Sequence, residues 1–404
     1  MKKIACLAIG IALLCVGCSQ TSFIEFNADG VSRVEFSPDG KKLLTASWDD
    51  NTVQIWDVES GKELYKLEGW IARFSADGTI VQTMGSGDES IPKLWEAESG
   101  TELHPYGEIA YMSLNGKYVS LVEGEAIRIW DIETKNVLHT LVGTRPPFLV
   151  DGKRIAMAVD DNTVRIWDAR TGKVLHELGG RFGLASFSPD GKRIFTIGED
   201  TTVRVWDAES KDELYRWAGR IAGISPDGTL VVTESNNETI LIYDAESGKE
   251  LHKLEGQSAN FLPDGKKLLI SSEDETIRIW DVELGKELHK LEGDVIEVSP
   301  DGRKLLIRNR NETIRVWDME SETELFKLAK LWSACFSPDG KRIVTEDEYD
   351  GPVRVWDAES GKSLYRLNGR FQAISPDGKK IATSGDVAIV DGNVRRTVRI
   401  WTLE

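Results

Sequence analysis

The chain has 404 residues, of which 40% are hydrophobic and 29% are charged, and its formal net charge is −17 at pH 7. This composition excludes a disordered or fibrous protein and is sufficient for a large buried core. The negative charge is spread along the chain, and because phosphates bind to clusters of lysine and arginine, this balance leads us to expect no nucleic acid partner.

The first predicted element is an export signal at residues 1–17. Two lysines follow Met1 and precede an apolar run, residues 4–17, that is too short to span a bilayer comfortably. The run ends at Gly17-Cys18, which resembles the lipobox of bacterial lipoproteins, although Cys15 stands where leucine is usual. The resemblance implies that Cys18 becomes the first residue and carries fatty-acyl chains such as palmitate, which would hold the protein on a membrane. The alternative is an ordinary signal peptide, but no A-x-A-like cleavage site follows the run.

Residues 18–22 are predicted to be a short tether, and residues 23–404 one repeating domain. Three of the four cysteines lie within the first eighteen residues and only Cys335 lies in the domain, so no internal disulfide is expected. We therefore expect an exported protein with a lipid anchor in the bacterial cell envelope, at the outer membrane if the bacterium has two membranes.

One pattern repeats ten times along the domain. An aromatic residue recurs at a spacing of mostly 37 or 39 residues, and an Asp-Gly or Asn-Gly pair precedes each occurrence. The aromatic residues are Trp56, Trp95, Trp130, Trp167, Trp206, Tyr243, Trp280, Trp317, Trp356 and Trp401.

The unit at residues 295–328 shows what each repeat predicts. Strands at 295–298 and 304–307 flank the turn Ser299-Pro300-Asp301-Gly302, in which proline presets φ and glycine is free to adopt a positive φ. Alternation then places Ile314 and Val316 on one face of a third strand and Trp317 on the other, and residues 325–328 form a fourth strand. Such a sheet needs cover on both faces, and radial stacking of copies provides it.

These units resemble WD40 repeats, because Ile55-Trp56-Asp57, Val205-Trp206-Asp207 and their equivalents follow turns of the S-P-D-G type. The resemblance implies an all-β propeller of about ten four-stranded blades. Only nine units have their own fourth strand, so the alternating segment at residues 23–26 is expected to supply the missing outer strand and close the ring. Ten units are compatible with one wide ring, with two five-bladed rings or with a smaller ring that has irregular units left over. The uninterrupted spacing favours a single ring, and we expect the protein to be monomeric.

The Gly-His pair that WD40 repeats usually carry between blades is absent from this sequence. All five histidines instead occupy one repeat position, which tyrosine and phenylalanine share, so we interpret it as a packing or edge position and not as a metal site. We interpret Cys335 as a buried structural thiol. We expect no catalytic residue, metal or cofactor, and no enzymatic activity.

The aromatic and arginine residues outside the repeat pattern are the candidate partner-binding residues. Trp48 lies in a predicted turn between second and third strands, and the others lie in the links between units, at the same end of the ring. The candidates are Trp48, Trp70, Arg145, Arg181, Phe182, Arg220, Trp332, Arg370 and Phe371. The predicted long turn at residues 386–396 is a further candidate contact. We expect a protein–protein interaction scaffold that binds a protein or peptide; the alternative is a ligand-binding or hydrolytic propeller with a site in its central channel.

Overall fold

A computed structural model describes most of the chain from residue 22 onward. The described residues are 22–27, 30–85, 92–103, 108–112, 118–123, 126–142, 148–149, 154–158, 163–179, 181–197, 200, 202–210, 212–235, 238–331, 333–347, 351–390 and 393–403. Within these ranges the regular secondary structure consists of forty strands and no helix.

The strands form ten antiparallel sheets of four, which we call blades one to ten. The strands of the first five blades, in order, are β2 (Val31–Phe36), β3 (Lys42–Ser47), β4 (Thr52–Asp57) and β5 (Glu63–Glu68); β6 (Ile71–Phe74), β7 (Ile80–Met84), β8 (Lys93–Glu96) and β9 (Glu102–Leu103); β10 (Glu108–Met112), β11 (Tyr118–Glu123), β12 (Ala126–Asp131) and β13 (Asn136–Val142); β14 (Phe148–Leu149), β15 (Arg154–Ala158), β16 (Thr163–Asp168) and β17 (Val174–Gly179); β18 (Arg181–Phe187), β19 (Arg193–Ile197), β20 (Val203–Asp207) and β21 (Glu213–Trp217).

Blades six to nine have the same strand order, and blade ten takes its fourth strand from the beginning of the chain. Their strands are β22 (Arg220–Ile224), β23 (Leu230–Ser235), β24 (Thr239–Asp244) and β25 (Glu250–Glu255); β26 (Ser258–Phe261), β27 (Lys267–Ser271), β28 (Thr276–Asp281) and β29 (Lys286–Glu292); β30 (Asp294–Val298), β31 (Lys304–Arg308), β32 (Thr313–Asp318) and β33 (Thr323–Lys330); β34 (Ser333–Phe336), β35 (Arg342–Glu346), β36 (Val353–Asp357) and β37 (Ser363–Leu367); β38 (Arg370–Ile374), β39 (Lys380–Val390), β40 (Asn393–Thr402) and β1 (Phe23–Asn27).

The turns form by the chemistry that the repeat predicts. In the first blade the Ser37 hydroxyl donates to Asp39 and accepts the N–H of Lys42, while Gly40 has φ +70° and donates its N–H to the Ser37 carbonyl. The turn between the third and fourth strands is held by Asp57, which accepts both the N–H and the hydroxyl of Ser60. Each turn therefore satisfies its own polar groups and fixes the strand register locally.

The core is divided among the contacts between blades. The described residues form ten buried apolar clusters, and each cluster joins two successive blades. The cluster between blades one and two, for example, packs Val53 and Ile55 of β4 against Ala72 and Val81 of the next blade. Since no single sheet has a core of its own, each blade is stable only between two neighbours.

The ring closes as expected. Strand β1 pairs antiparallel with β40, with Phe23 opposite Trp401. One apolar cluster joins Val398 and Ile400 of blade ten to Val34 of blade one. The prediction of ten blades in a single ring, closed by an N-terminal outer strand, is confirmed.

The tryptophan of the third strand can be hydrogen-bonded within its blade. The indole N–H of Trp206 donates to the hydroxyl of Thr196, 2.9 Å away, and that hydroxyl donates to the carbonyl of Gly179 at the link to this blade. In blades seven and eight isoleucine stands in place of the threonine, and the indole nitrogens of Trp280 and Trp317 have no hydrogen-bond partner in the described structure.

Residues 386–396 do not form the predicted long turn. Strands β39 and β40 continue through most of this segment, with pairs such as Ala388 with Arg395 and Val390 with Asn393. The sequence accounts for the difference, because β-branched residues such as Ile389, Val390 and Val394 flank an Asp-Gly pair, which is a strong sequence signal for a hairpin. The last blade therefore has an extended hairpin at the end of the ring where second strands meet third strands.

Candidate functional site

The two ends of the ring differ in their connections. We call upper the end with the connections from second to third strands and from each blade to the next. The lower end contains the connections from first to second and from third to fourth strands. An antiparallel four-stranded meander places its connections alternately at two ends, so the candidate residues near blade junctions all belong to the upper end.

Trp48 and Trp70 meet at the upper end of blade one. Their ring centroids are 4.3 Å apart, and the planes are inclined by 55°. The Asn51 carbonyl accepts the N–H of Gly69, which ties the turn bearing Trp48 to the link bearing Trp70. Asn51 has φ +52°, a conformation that asparagine tolerates better than most residues. This contact places the two tryptophans at the same end of the ring.

The two tryptophans have different roles in this contact. The Trp70 side chain is half-buried and its indole N–H donates to the Gly85 carbonyl, 2.9 Å away in the next blade. Trp48 lies against it with 63% of its surface exposed. Trp70 is thus a fixed support, whereas Trp48 presents its ring to solvent.

Two carboxylates follow Trp48 in its turn. Asp49 directly follows Trp48, and Asp50 accepts the Thr52 hydroxyl at 2.6 Å and pairs with the Lys66 ammonium at 3.2 Å. Burial alone would raise the pKa of Asp50, but the hydrogen bonds from Thr52 and Lys66 outweigh it and hold the pKa below its ordinary value. Asp50 therefore stays ionised beside the exposed ring at neutral pH.

Most of the candidate arginine and phenylalanine residues begin first strands, because the links that precede those strands are only one or two residues long. Arg220 opens β22, is exposed, and forms an ion pair with Glu234 at 3.3 Å. Arg370 and Phe371 open β38, where Phe371 packs into the apolar cluster between blades nine and ten. Phe371 is therefore partly a core residue, unlike Trp48.

Other candidate residues are described only in part or lie outside the described residues. Arg181 and Phe182 open β18, as their repeat position requires, but their side chains are outside the described part of the chain. Cys18, Arg145 and Trp332 lie wholly outside it. The structure thus brings together Trp48 and Trp70, and it places Arg220 and Arg370 at the same end in other blades.

Sequence reasoning missed four glutamates that bridge adjacent blades. Each accepts a backbone N–H from the first strand of the next blade, where an inner edge strand would otherwise leave that group unpaired. The sequence signal that could have identified them is a repeated separation of 39 or 25 residues between each glutamate and the residue whose N–H it accepts. The pairs are Glu35 with Phe74 at 3.1 Å, Glu297 with Phe336 at 2.6 Å, Glu234 with Ala259 at 3.0 Å and Glu346 with Phe371 at 2.7 Å.

The histidine column joins blades at the outside of the ring. The imidazole of His252 contacts the Val282 carbonyl of the next blade at 3.1 Å, and Tyr215 at the equivalent position donates to the Glu246 carbonyl. Each ring lies on the glycine of the neighbouring turn, so that a Cβ on Gly248 would lie 2.2 Å from the Tyr215 ring. These residues have a packing role, as the sequence predicts.

Cys335 lies in β34 near two of the bridging glutamates. Burial raises the pKa of its thiol to about 12, and the charges of Glu297 and Glu346 add to the rise. A thiol with this pKa is protonated at neutral pH and is a poor nucleophile.

An open cavity of about 550 Å³ lies beside the first strands of blades one and ten, which line the central channel. Ser32, Arg33, Glu35 and Gln372 supply its polar groups, and Arg33 pairs with Glu35 at 2.7 Å. In the described residues no group of three or more His, Cys, Asp and Glu side chains is arranged to hold a metal ion. The same residues include no helix with the length and hydropathy needed to cross a membrane.

Comparison with known proteins agrees with this architecture. The family model of the WD domain, G-beta repeat, matches residues 18–57, 173–207 and 248–281. No curated protein matches the chain. A crystal structure described as the eukaryotic initiation factor is similar in fold, with a TM-score of 0.52 and 14% identity over 84% of this chain and 88% of that chain.

Two further solved structures match at lower TM-scores. The C-terminal WD40 domain of Sif2 has a TM-score of 0.46 and 14% identity over 96% of this chain and 100% of its own. The computationally designed Ika8 protein has a TM-score of 0.43 and 20% identity over 81% of this chain and 96% of its own. The ten sheets and the matched repeats together establish that the chain is an all-β, ten-bladed propeller that contains WD40 repeats.

Proposed function

We propose that this protein is a lipid-anchored scaffold of the bacterial cell envelope that binds a protein or peptide at the upper end of its propeller. The observation that carries the proposal is the exposure of Trp48, 63% of whose surface faces solvent while Trp70 supports its ring. Exposed aromatic side chains held in a fixed position are typical anchors of protein interfaces. The proposed role is binding and not catalysis.

Rigidity supports this role. Tyr215, His252 and their equivalents bond to the next blade at the outside of the ring, and the bridging glutamates do so near the axis. A preorganised surface loses little conformational entropy on binding, which favours affinity.

The position at which the described chain begins supports an orientation in which the lower end of the ring lies near the membrane. Ser22 accepts the N–H of Thr402 at the lower end, where β1 begins. Residues 18–22 span at most ~15 Å, since consecutive Cα atoms are 3.80 Å apart. An acylated Cys18 would therefore keep the lower end close to the membrane, and Trp48 would face away from it.

A comparative pull-down tests the partner proposal. Envelope extracts are passed over the wild-type protein, Trp48→Ala and Leu284→Ala. Leu284 is a matched control, because it is 64% exposed but lies in a lower turn. We expect Trp48→Ala to lose a partner that both other proteins retain; an identical partner set for all three would refute the proposal.

The anchor has a separate test. Cys18→Ala should move the protein from the membrane fraction to the soluble fraction and abolish labelling with a fatty-acid analogue, because the acyl chains supply the membrane affinity. A labelled or membrane-bound variant would contradict the assignment of Cys18.

Ligand binding in the central channel is the second candidate function, favoured by the open polar cavity next to Arg33 and Gln372. A ligand specific for this cavity raises the melting temperature by mass action. A thermal-shift screen with sugars, metal ions and cofactors should then yield a ligand whose effect disappears in Gln372→Ala. A screen without such a ligand would remove this candidate.

A further inference from the structure

The upper end presents one large apolar side chain to solvent among the described residues. The other large apolar residues with comparable exposure lie elsewhere: Leu64, Val137, Val174 and Leu251 on fourth strands, and Leu284 in a lower turn. Trp48 is thus the exposed anchor of its end, and the groups around it determine which partner fits.

The connections at the upper end are strongly acidic. Among their described residues the one basic side chain is Arg310, which pairs with Glu275. Basic side chains on the adjoining strands offset part of the negative charge, since Lys66 pairs with Asp50, Lys290 with Asp274 and Arg220 with Glu234. The acidic side chains of the same connections are Asp49, Asp50, Asp200, Glu238, Glu273, Asp274, Glu275, Glu312 and Asp347.

The lower end has a more balanced charge. Its described connections repeat sequences such as Ser-Pro-Asp-Gly-Lys and Glu-Ser-Gly-Lys, each of which contains one acidic and one basic residue. Asp39 with Lys41 and Glu59 with Lys62 are examples. The described upper connections therefore have a larger excess of acidic over basic residues than the lower connections, and the upper end is the one that bears Trp48.

Two upper carboxyl groups also lie against each other. Glu238 and Glu273 belong to the second-to-third-strand connections of blades six and seven, and a hydrogen bond with Glu273 raises the pKa of Glu238, with burial and the charge of Glu273 adding to the rise. Contact between two carboxyl groups is unfavourable when both are ionised, so a bound cation would relieve it.

We propose that the upper end binds a lysine- or arginine-rich segment of a protein, one cationic side chain of which packs on the Trp48–Trp70 pair. This inference rests on the proposed function and names the chemistry of its partner. A tryptophan face attracts a guanidinium or ammonium group, and the surrounding carboxylates add long-range attraction. The same carboxylates repel anionic lipid headgroups and nucleic acid, and a neutral sugar gains nothing from them.

Titration calorimetry with defined polymers tests the partner chemistry. The full chain, purified in a neutral detergent, is titrated with poly-L-arginine and with poly-L-glutamate of matched length. We expect poly-L-arginine alone to bind, and to bind more weakly as salt rises, because the Debye length falls from about 10 Å at 0.1 M to about 3 Å at 1 M ionic strength.

Variants separate specific capture from general charge attraction. Trp48→Ala should weaken poly-L-arginine binding about tenfold, a change of ~1.4 kcal/mol at 25 °C. Trp48→Leu keeps apolar surface without the π-system and should weaken it similarly. Asp49→Asn/Glu273→Gln should reduce the salt dependence, whereas Leu284→Ala and the lower-end pair Glu283→Gln/Glu320→Gln should bind like the wild type. Circular dichroism verifies that each variant is folded.

Two results would overturn the inference. Equal poly-L-arginine affinity in the wild type and both Trp48 variants would mean nonspecific attraction, and Trp48-dependent binding of poly-L-glutamate would mean the opposite partner charge. The pull-down distinguishes this failure from failure of the proposed function. A pull-down partner that depends on Trp48 but is not displaced by poly-L-arginine would support the scaffold role and refute the cationic partner. Trp48-dependent binding of poly-L-arginine without any pull-down partner would support the cationic site and refute the scaffold role.

Discussion

The ring of Phe26 stacks on Trp56, with centroids 4.3 Å apart and planes inclined by 22°. Phe26 belongs to the outer strand of blade ten and Trp56 to the third strand of blade one, so this contact crosses the seam at which the ring closes. Nearby, Ile24 covers the turn glycine Gly61 of blade one, as aromatic residues do at other blade junctions. The seam thus repeats the packing of the other interfaces with residues from both ends of the chain.

Phe26→Ala should weaken the seam specifically. Loss of this buried ring should lower the free energy of unfolding by about 3–5 kcal/mol. Phe74→Ala is the matched control, since both side chains are 7% exposed but Phe74 lies between blades one and two. Hydrogen exchange should accelerate in β1 for Phe26→Ala and not for the control; unchanged exchange in β1 would contradict the latch.

Gly248→Ala should destabilise the ring more than Gly40→Ala. Both glycines have φ +70°, which costs any L-residue roughly 1–2 kcal/mol. A Cβ on Gly248 would also lie 2.2 Å from the Tyr215 ring, whereas the nearest atom to a Cβ on Gly40 is 3.7 Å away. Thermal unfolding measures the difference, and Tyr215→Ala should remove most of it in the double variant. Equal effects of the two glycine changes would show that the ring can move aside at no cost.

Asp57→Ala should show its destabilising effect at neutral pH and lose it in acid. The hydroxyl and N–H of Ser60 hold the pKa of Asp57 below the ordinary value of 3.8, so this stability is present above about pH 4 and is lost as pH falls through the folded-state pKa. Thermal unfolding from pH 7 to pH 2 should show the two melting temperatures converging. Asp57→Asn keeps the acceptor oxygen and should lie between them at neutral pH; a constant gap at all pH values would contradict the mechanism.

Glu297→Gln should stabilise the ring at neutral pH. Burial raises the pKa of Glu297 above 4.5, against the lowering effect of the Phe336 N–H, so the ionised carboxylate costs stability that the protonated form does not. The cost is absent below the unfolded-state pKa and complete above the folded-state pKa. Glutamine still accepts the Phe336 N–H, and the gain in melting temperature should be largest near pH 7 and vanish below about pH 4. A gain of the same size at pH 3 would indicate a cause other than charge.

Sequence alone determined the repeat number, the four strands of each unit, the turn residues and the latch at residues 23–26. Those properties are local, because a Ser-Pro-Asp-Gly turn forms from its own side chains and alternation assigns each strand two faces. The tertiary structure alone decided that Trp48 is exposed while Trp70 is held by Gly85, that Phe371 packs into a core, and that four glutamates bridge blades. Burial and partners at a blade junction depend on residues 25 to 39 positions apart in sequence, and residues of one type at one repeat position meet different neighbours in each blade.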